Sequence, residues 1–315
     1  MTERATLRTI DGQPVLRFER RLRHSPTKVW RAVSEPAELA HWFPTTVETE
    51  LRPGAPMRFT FPEEAVVDGS WDGEVLEVDP PKVFMFRWDL DVLRLEVVPD
   101  GDGCRLVFTH TIGGGDIGRL AAARNASGWD QCLDQLVTVL DGGTTEPWEN
   151  WLTPMLRYHD EFGLGFGEVR PAGDGWELRF ARDLVWKPPA DVWALLVEDT
   201  SPEAGGEPPV RATNDHAPAG PLTEVDPPRV LAYEWRHDGE PAGRVRWTIV
   251  SDDKLGVRVE LSQTVPAHLA EVRATALAAW HLQLDLFFSA VHGDVRCAWD
   301  ADRVEELAKE YADRL

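Results

Sequence analysis

Among the polar residues of this chain, His110 has the most chemistry to offer. It ends the alternating run Leu106, Phe108, His110, which a strand would turn to one face, and that face is otherwise apolar. An imidazole on an enclosed apolar face can orient a ligand or act as a general base. The plainer alternative is a core histidine whose ring nitrogens are satisfied by neighbours. Arg20 interrupts the apolar alternation of Leu16, Phe18 and Leu22 in the same manner, and Arg182 repeats it later in the chain. A buried guanidinium needs a carboxylate, so both arginines predict structural ion pairs. His41 and Trp42 end a short helix over residues 36–42, stopped by Pro44, where they would cap the mouth of an interior.

Stronger chemical signatures do not accompany these residues. The run Asp100, Gly101, Asp102, Gly103 is too short for a calcium loop and reads as a hairpin turn. Gly113, Gly114 and Gly115 follow a strand without a phosphate-loop lysine or a dinucleotide fingerprint. Cys104, Cys132 and Cys297 are too widely spaced for a disulfide framework or a zinc site. Neither a metal nor a cofactor is expected, and catalysis is not indicated by any nucleophile motif.

The element that must position His110 is a helix over residues 128–142. Trp129, Cys132, Leu133, Leu136, Val137 and Leu140 recur at helical spacing on one face, and Gly142 closes the segment. Residues 279–293 repeat it, with Trp280, Leu284, Asp285 and Gly293 matching Trp129, Leu133, Asp134 and Gly142. Ahead of the first helix, strands are expected near residues 15–23, 47–51, 56–61, 73–78, 83–88, 92–98 and 104–111. Ser25 and Pro26 start a helix between the first two of these. A closing helix over 146–162 is expected to be interrupted near Pro154.

From about residue 165 the sequence starts again. The segment 174–184 echoes 11–22, Trp193 answers Trp30, Glu-Val-Asp-Pro-Pro at 224–228 answers 77–81, and Tyr311 answers Tyr158. This predicts an internal duplication, with domains at 1–164 and 165–315. The interval from Trp193 to Asp226 is shorter than that from Trp30 to Asp79. The second copy should therefore lack the His41-Trp42-Phe43 segment and about one strand pair, with residues 202–209 forming a loop and the interior more filled or more open.

Composition narrows the function classes. The formal charge of −21 over 315 residues is spread over both halves, which opposes binding to nucleic acid or to anionic membrane surfaces. A hydrophobic content of 43% is that of a globular protein, and no apolar run approaches the length of a membrane span. The N-terminus has no basic-then-apolar signal pattern, so a cytoplasmic location is expected. Fourteen tryptophans imply large apolar volumes to fill or to line.

A strand, two short helices, an antiparallel meander and a long helix make up the order of the helix-grip, or START-like, fold. The segments 16–44, 73–88, 104–112 and 128–142 resemble the SRPBCC superfamily. Within it they are similar to the family named after the C-terminal domain of the activator of Hsp90 ATPase. The resemblance implies an α+β chain of two tandem helix-grip domains, each a curved antiparallel sheet around a long helix with a cavity between. It leaves activity open, since the superfamily includes carriers, cyclases and a co-chaperone domain.

On this reading the first domain binds a small, mainly hydrophobic molecule. Its expected lining is Met57, Phe59, Trp88, Leu93, Leu95, Phe108, His110, Trp129, Cys132 and Leu133, with His41 and Trp42 at the mouth. A protein-interaction module of the co-chaperone kind is the alternative, and an enzyme of the cyclase or dehydratase kind a third.

Overall fold

The computed structural model describes residues 4–62, 70–145, 151–294 and 299–315. Cys297 and the first part of the expected helix over 146–162 lie outside them. The chain divides into two compact units, Met1–Phe162 and Gly163–Leu315.

The first unit opens with a hairpin, β1 (Thr6–Ile10) and β2 (Gln13–Leu22), turning through Asp11 and Gly12 at φ of 50° and 78°. Two consecutive positive φ values match the strand twist, which is why Asp-Gly serves there. Helix α1 (Pro26–Ser34) follows, with Ser25 Oγ accepting from the Lys28 N–H, then the short α2 (Pro36–Leu39). The meander comprises β3 (Thr46–Glu48), β4 (Pro56–Thr60), β5 (Ser70–Asp79), β6 (Val83–Trp88), β7 (Asp91–Asp100) and β8 (Gly103–Thr111). With the hairpin it forms one antiparallel sheet ordered β1-β2-β8-β7-β6-β5-β4-β3. Helices α3 (Gly115–Arg119), α4 (Ala122–Leu140) and α5 (Leu152–Glu161) complete the unit.

Alternation assigns the inner face as the sequence predicts. Leu16, Phe18, Met57, Phe59, Leu93, Leu95, Val97, Leu106, Phe108 and His110 are all buried, as are Trp129, Cys132, Leu133, Leu136 and Leu140 of α4. Each large apolar side chain so placed stabilises the fold by ~1.5–3 kcal/mol. The outer face carries charge instead, for example Arg94 between Glu77 at 2.5 Å and Glu96 at 3.1 Å.

Three expectations are corrected. The strand β1 has no counterpart in the sequence reading. The long helix starts at Ala122 rather than near Gly128, because the alanine-rich stretch before Trp129 favours helix even without an apolar stripe. Finally, α5 runs through Pro154, which sits in its first turn, where the N–H that proline lacks would have had no intrahelical partner.

The second unit contains β9 (Glu168–Ala172), β10 (Gly175–Asp183), α6 (Pro189–Val197), β11 (Ala219–Asp226), β12 (Val230–His237), β13 (Glu240–Asp252), β14 (Gly256–Pro266), α7 (Arg273–Val291) and α8 (Ala301–Ala312). Its sheet, ordered β11-β12-β13-β14-β10-β9, has the order of the first sheet without strands at the places of β3 and β4. The loop before β11 closes over the interior. The Ala212 carbonyl accepts from Tyr233 Oη at 2.9 Å and Trp247 Nε1 at 3.0 Å, and Arg211 O accepts from Gln283 Nε2 at 2.7 Å. Trp247 meets Trp280 and Phe287 with ring centroids 6.0 and 5.5 Å apart, and all three rings are fully buried in this interior. The chain is thus an α+β protein with two helix-grip-like sheets. Among the described residues no helix is long and apolar enough to cross a membrane.

Candidate functional site

The β7–β8 hairpin sets Leu93 opposite His110 and Leu95 opposite Phe108, all facing α4. Trp129, the first residue of the apolar stripe of α4, donates its indole N–H to His110 Nδ1 at 3.0 Å. An indole nitrogen is only ever a donor, so Nδ1 must be unprotonated and Nε2 must carry the hydrogen. That hydrogen goes to Asp91 Oδ2 at 2.8 Å, while Asp91 Oδ1 accepts the Gly113 N–H at 2.8 Å. Burial pushes the Asp91 carboxyl up, but His110, the Gly113 N–H and the nearby Arg124 outweigh it and hold it below its ordinary value. Both nitrogens of His110 are therefore committed. The ring has no free lone pair for a substrate, and of the two expected roles the satisfied core histidine is the one its bonds describe.

Arg20 also has its carboxylates. Its guanidinium lies 2.7 Å from Asp130 and 3.5 Å from Asp134, both on α4. Tyr158 of α5 donates its hydroxyl to the other oxygen of Asp130 and accepts the Ala5 N–H at 3.1 Å. Burial and the bond to Asp130 push the Tyr158 hydroxyl pKa up, so it stays a donor. Burial likewise raises Asp134, with Asp130 adding to it and Arg20 opposing. The second unit builds the same joint: Arg182 reaches Asp285 at 3.1 Å, and Tyr311 accepts the Gly167 N–H at 2.8 Å. His281, at the place of Asp130, meets the Tyr311 hydroxyl at 3.0 Å. These joints fasten the closing helix and first long strand to the gripped helix.

The expected lining residues do converge on one interior. Phe59 stacks on Trp88 at 4.3 Å and 9°, Phe108 meets Trp129 edge-on at 4.8 Å, and Trp88 meets Trp129 at 6.5 Å. Met57, Phe59, Leu93, Leu95, Phe108, His110, Trp129, Cys132 and Leu133 are buried, whereas Trp88 is half-buried. Gly73 permits the Phe59–Trp88 stack: a Cβ there would lie 2.7 Å from the Phe59 ring and 2.1 Å from the Arg87 carbonyl. Burial drives the Cys132 thiol pKa far up, leaving it an inert wall residue.

The mouth is corrected in detail. His41 lies exposed, and Trp42 is buried with its indole N–H fixed to the Ala32 carbonyl at 2.8 Å. Of that segment it is Phe43, not singled out by the sequence reading, that enters the interior. Its ring lies 5.7 Å from Trp88, 5.3 Å from Trp129 and 6.3 Å from Phe59 and Phe86. The half-exposed rings lie elsewhere, at the end formed by Phe61, Trp71 and Trp88, with Phe61 5.9 Å from Trp88. A separate surface cleft of about 340 Å³ lies among Ser25, Lys28, Arg31, Glu38 and Leu140. Its cations are engaged by the Leu140 carbonyl and by Glu35 and Glu38. Among the described residues no group of three His, Cys, Asp or Glu side chains is arranged to hold a metal ion.

Comparison with known families places residues 23–141 in the family described as Activator of Hsp90 ATPase homolog 1-like protein. The matched residues lie within the first unit. The match runs from just after β2 to the end of α4 and includes Phe43, Phe59, Trp88, Phe108 and Trp129, but not Phe18 of β2, which stacks on Phe108. Solved structures similar to the chain include a conserved protein of unknown function from Enterococcus faecalis, 20% identical over 50% of this chain and 90% of that one, with a TM-score of 0.44. The CalU16 protein of Micromonospora echinospora is 22% identical over 52% and 94%, with a TM-score of 0.37. Protein MLL2253 of Mesorhizobium loti is 25% identical over 42% and 99%, also with 0.37. Comparison with curated proteins returns no match.

Proposed function

We propose that the first unit binds a small, mainly apolar, ring-bearing molecule at the aromatic end of its interior. The observation that carries this reading is the stack of Phe59 on Trp88, continued by Phe61 and Phe43, in which Phe61 and Trp88 keep part of their surface accessible. Flat rings that are only partly covered offer stacking surface to a flat ligand, each such pairing contributing ~0.5–1.5 kcal/mol beyond the buried area. The remaining lining, from Met57 to Leu133, is the apolar bed expected of a binding cavity. Catalysis is not part of the proposal, because His110 is committed at both nitrogens.

The protein-docking alternative needs an apolar or singly charged outer face on the sheet. Instead, Arg17 and Arg105 pair with Glu19, Arg87 with Glu74, and Arg94 with Glu77 and Glu96, a mixed and largely neutralised surface. This favours the interior over the exterior. We propose that the chain acts as a cytoplasmic binding protein.

We further infer that the two units descend from one duplicated domain, of which the second keeps the fold without an open interior. The paired joints Arg20–Tyr158 and Arg182–Tyr311, and the paired indole bonds of Trp129 and Trp280, support this.

Thermal shift and native mass spectrometry of the full chain with a panel of fused-ring compounds test the binding reading. A ligand at 100 times its Kd should stabilise the protein by about 2.7 kcal/mol. Absence of any shift, together with absence of any bound mass, would overturn it.

A further inference from the structure

Polar side chains in the interior of the first unit are almost all spoken for. Trp42 Nε1 donates to Ala32 O, Trp129 Nε1 to His110, His110 to Asp91, and Ser34 Oγ to Trp30 O at 2.7 Å. Thr45 differs from these. It is 3% exposed, and its hydroxyl has no hydrogen-bond partner among the described residues.

Its direction follows from the strand it introduces. Phe43, Thr45 and Val47 are buried, while Thr46 and Glu48 are exposed, so Thr45 shares the inner face with Phe43. Val47 stands opposite Phe59 and Thr46 opposite Thr60 in an antiparallel pair. That register, carried one pair beyond β3 and β4, would set Thr45 next to Phe61, whose half-exposed ring lies 5.9 Å from Trp88.

A buried hydroxyl with nothing to bond is destabilising relative to a methyl group of the same shape, and valine would fill the position without that penalty. We infer that Thr45 Oγ1 is the polar anchor of the site, and that the ligand is a flat, ring-bearing molecule with a hydroxyl or carbonyl oxygen at its edge. This rests on the binding reading proposed above and specifies its ligand class. The rings of Phe61 and Trp88 would take the ligand's face, and the threonine its oxygen, as donor or acceptor according to the group presented. The sheet of the second unit has no strand at the place of β3, the strand that Thr45 introduces.

The test uses the full chain and two probes of one shape, naphthalene and 2-naphthol, titrated calorimetrically into wild type, Thr45→Val and Thr45→Ser. Wild type should prefer 2-naphthol by roughly three- to tenfold, the range of a single neutral hydrogen bond. Thr45→Val should bind naphthalene unchanged and lose the preference, and Thr45→Ser should keep it. Without ligand, Thr45→Val should melt no lower than wild type. An unchanged preference in Thr45→Val overturns the anchor but leaves the binding reading standing. A marked loss of stability in ligand-free Thr45→Val shows a structural bond at the hydroxyl and likewise overturns the anchor. Failure of wild type to bind either probe overturns both.

Discussion

Trp129 Nε1 donates to His110 Nδ1 at 3.0 Å, and this bond sets the protonation of the imidazole from the core side. The second unit has the same relationship with different chemistry: Trp280 Nε1 donates to Gln263 Oε1 at 2.6 Å. Gln263 occupies in β14 the place of His110 in β8. What the two units share is therefore an acceptor for the tryptophan of the gripped helix, not an imidazole.

If that is the role of His110, glutamine should substitute for it and leucine should not. His110→Leu leaves the indole N–H without its acceptor and Asp91 Oδ2 without its donor, and should lose ~2–4 kcal/mol in urea unfolding. His110→Gln should lose roughly half as much, since only the bond to Asp91 is given up. Equal losses in the two variants would show that ring volume, not hydrogen bonding, is what the position requires.

Asp91 makes a pH dependence readable. Its carboxyl is held low in the folded protein because His110, Gly113 and Arg124 together outweigh the opposing effect of burial. A depressed folded-state pKa contributes stability that is fully present above the unfolded value of about 3.9 and is lost as pH falls through the folded value. Asp91→Asn should accordingly be less stable than wild type near neutral pH, and the gap should narrow as pH drops below about 4. Denaturation midpoints across that range check it; a gap that stays constant into acid means that the charge of Asp91 contributes nothing.

Much of this was legible in the sequence. The inner faces of β2, β7 and β8 follow from alternation, and the burial of Leu16, Phe18, Leu93, Leu95, Leu106 and Phe108 agrees with it. The hairpin closed at Asp100–Gly103 also fixes the register that brings Asp91 close to His110, a signal present in the chain but not drawn on. The strand β1 gave no such signal, because it is an edge strand in which only Leu7 is even half-buried. Phe43 and Thr45 were hidden for a different reason. Their burial depends on β4 and on rings distant in sequence, and a short loop after a two-turn segment carries no period from which that could be read.

The joint around Asp130 predicts coupled losses. Tyr158→Phe removes the donor to Asp130 and the acceptor of the Ala5 N–H, and should lose ~1–2 kcal/mol. Arg20→Leu leaves Asp130 without its cation and should lose ~3–5 kcal/mol. Because both act through one carboxylate, the double variant should lose measurably less than the two single losses combined. Strict additivity in a double-mutant cycle would show that Tyr158 and Arg20 stabilise the unit independently.

Phe43 yields the sharpest contrast between packing and binding. Its ring lies among Phe59, Phe86, Trp88 and Trp129, so Phe43→Ala removes a buried aromatic from a close-packed cluster and should lose ~3–5 kcal/mol. The space it vacates is walled by flat rings and adjoins Thr45. A fused-ring probe should occupy that space and regain contacts the variant has lost, as apolar ligands do in engineered apolar cavities. Ligand-free Phe43→Ala should therefore melt well below wild type yet show the larger rise in melting temperature with saturating 2-naphthol. A rise equal to or smaller than that of wild type would mean that the bound molecule does not reach the position of Phe43, and would place it wholly at the Phe61–Trp88 end.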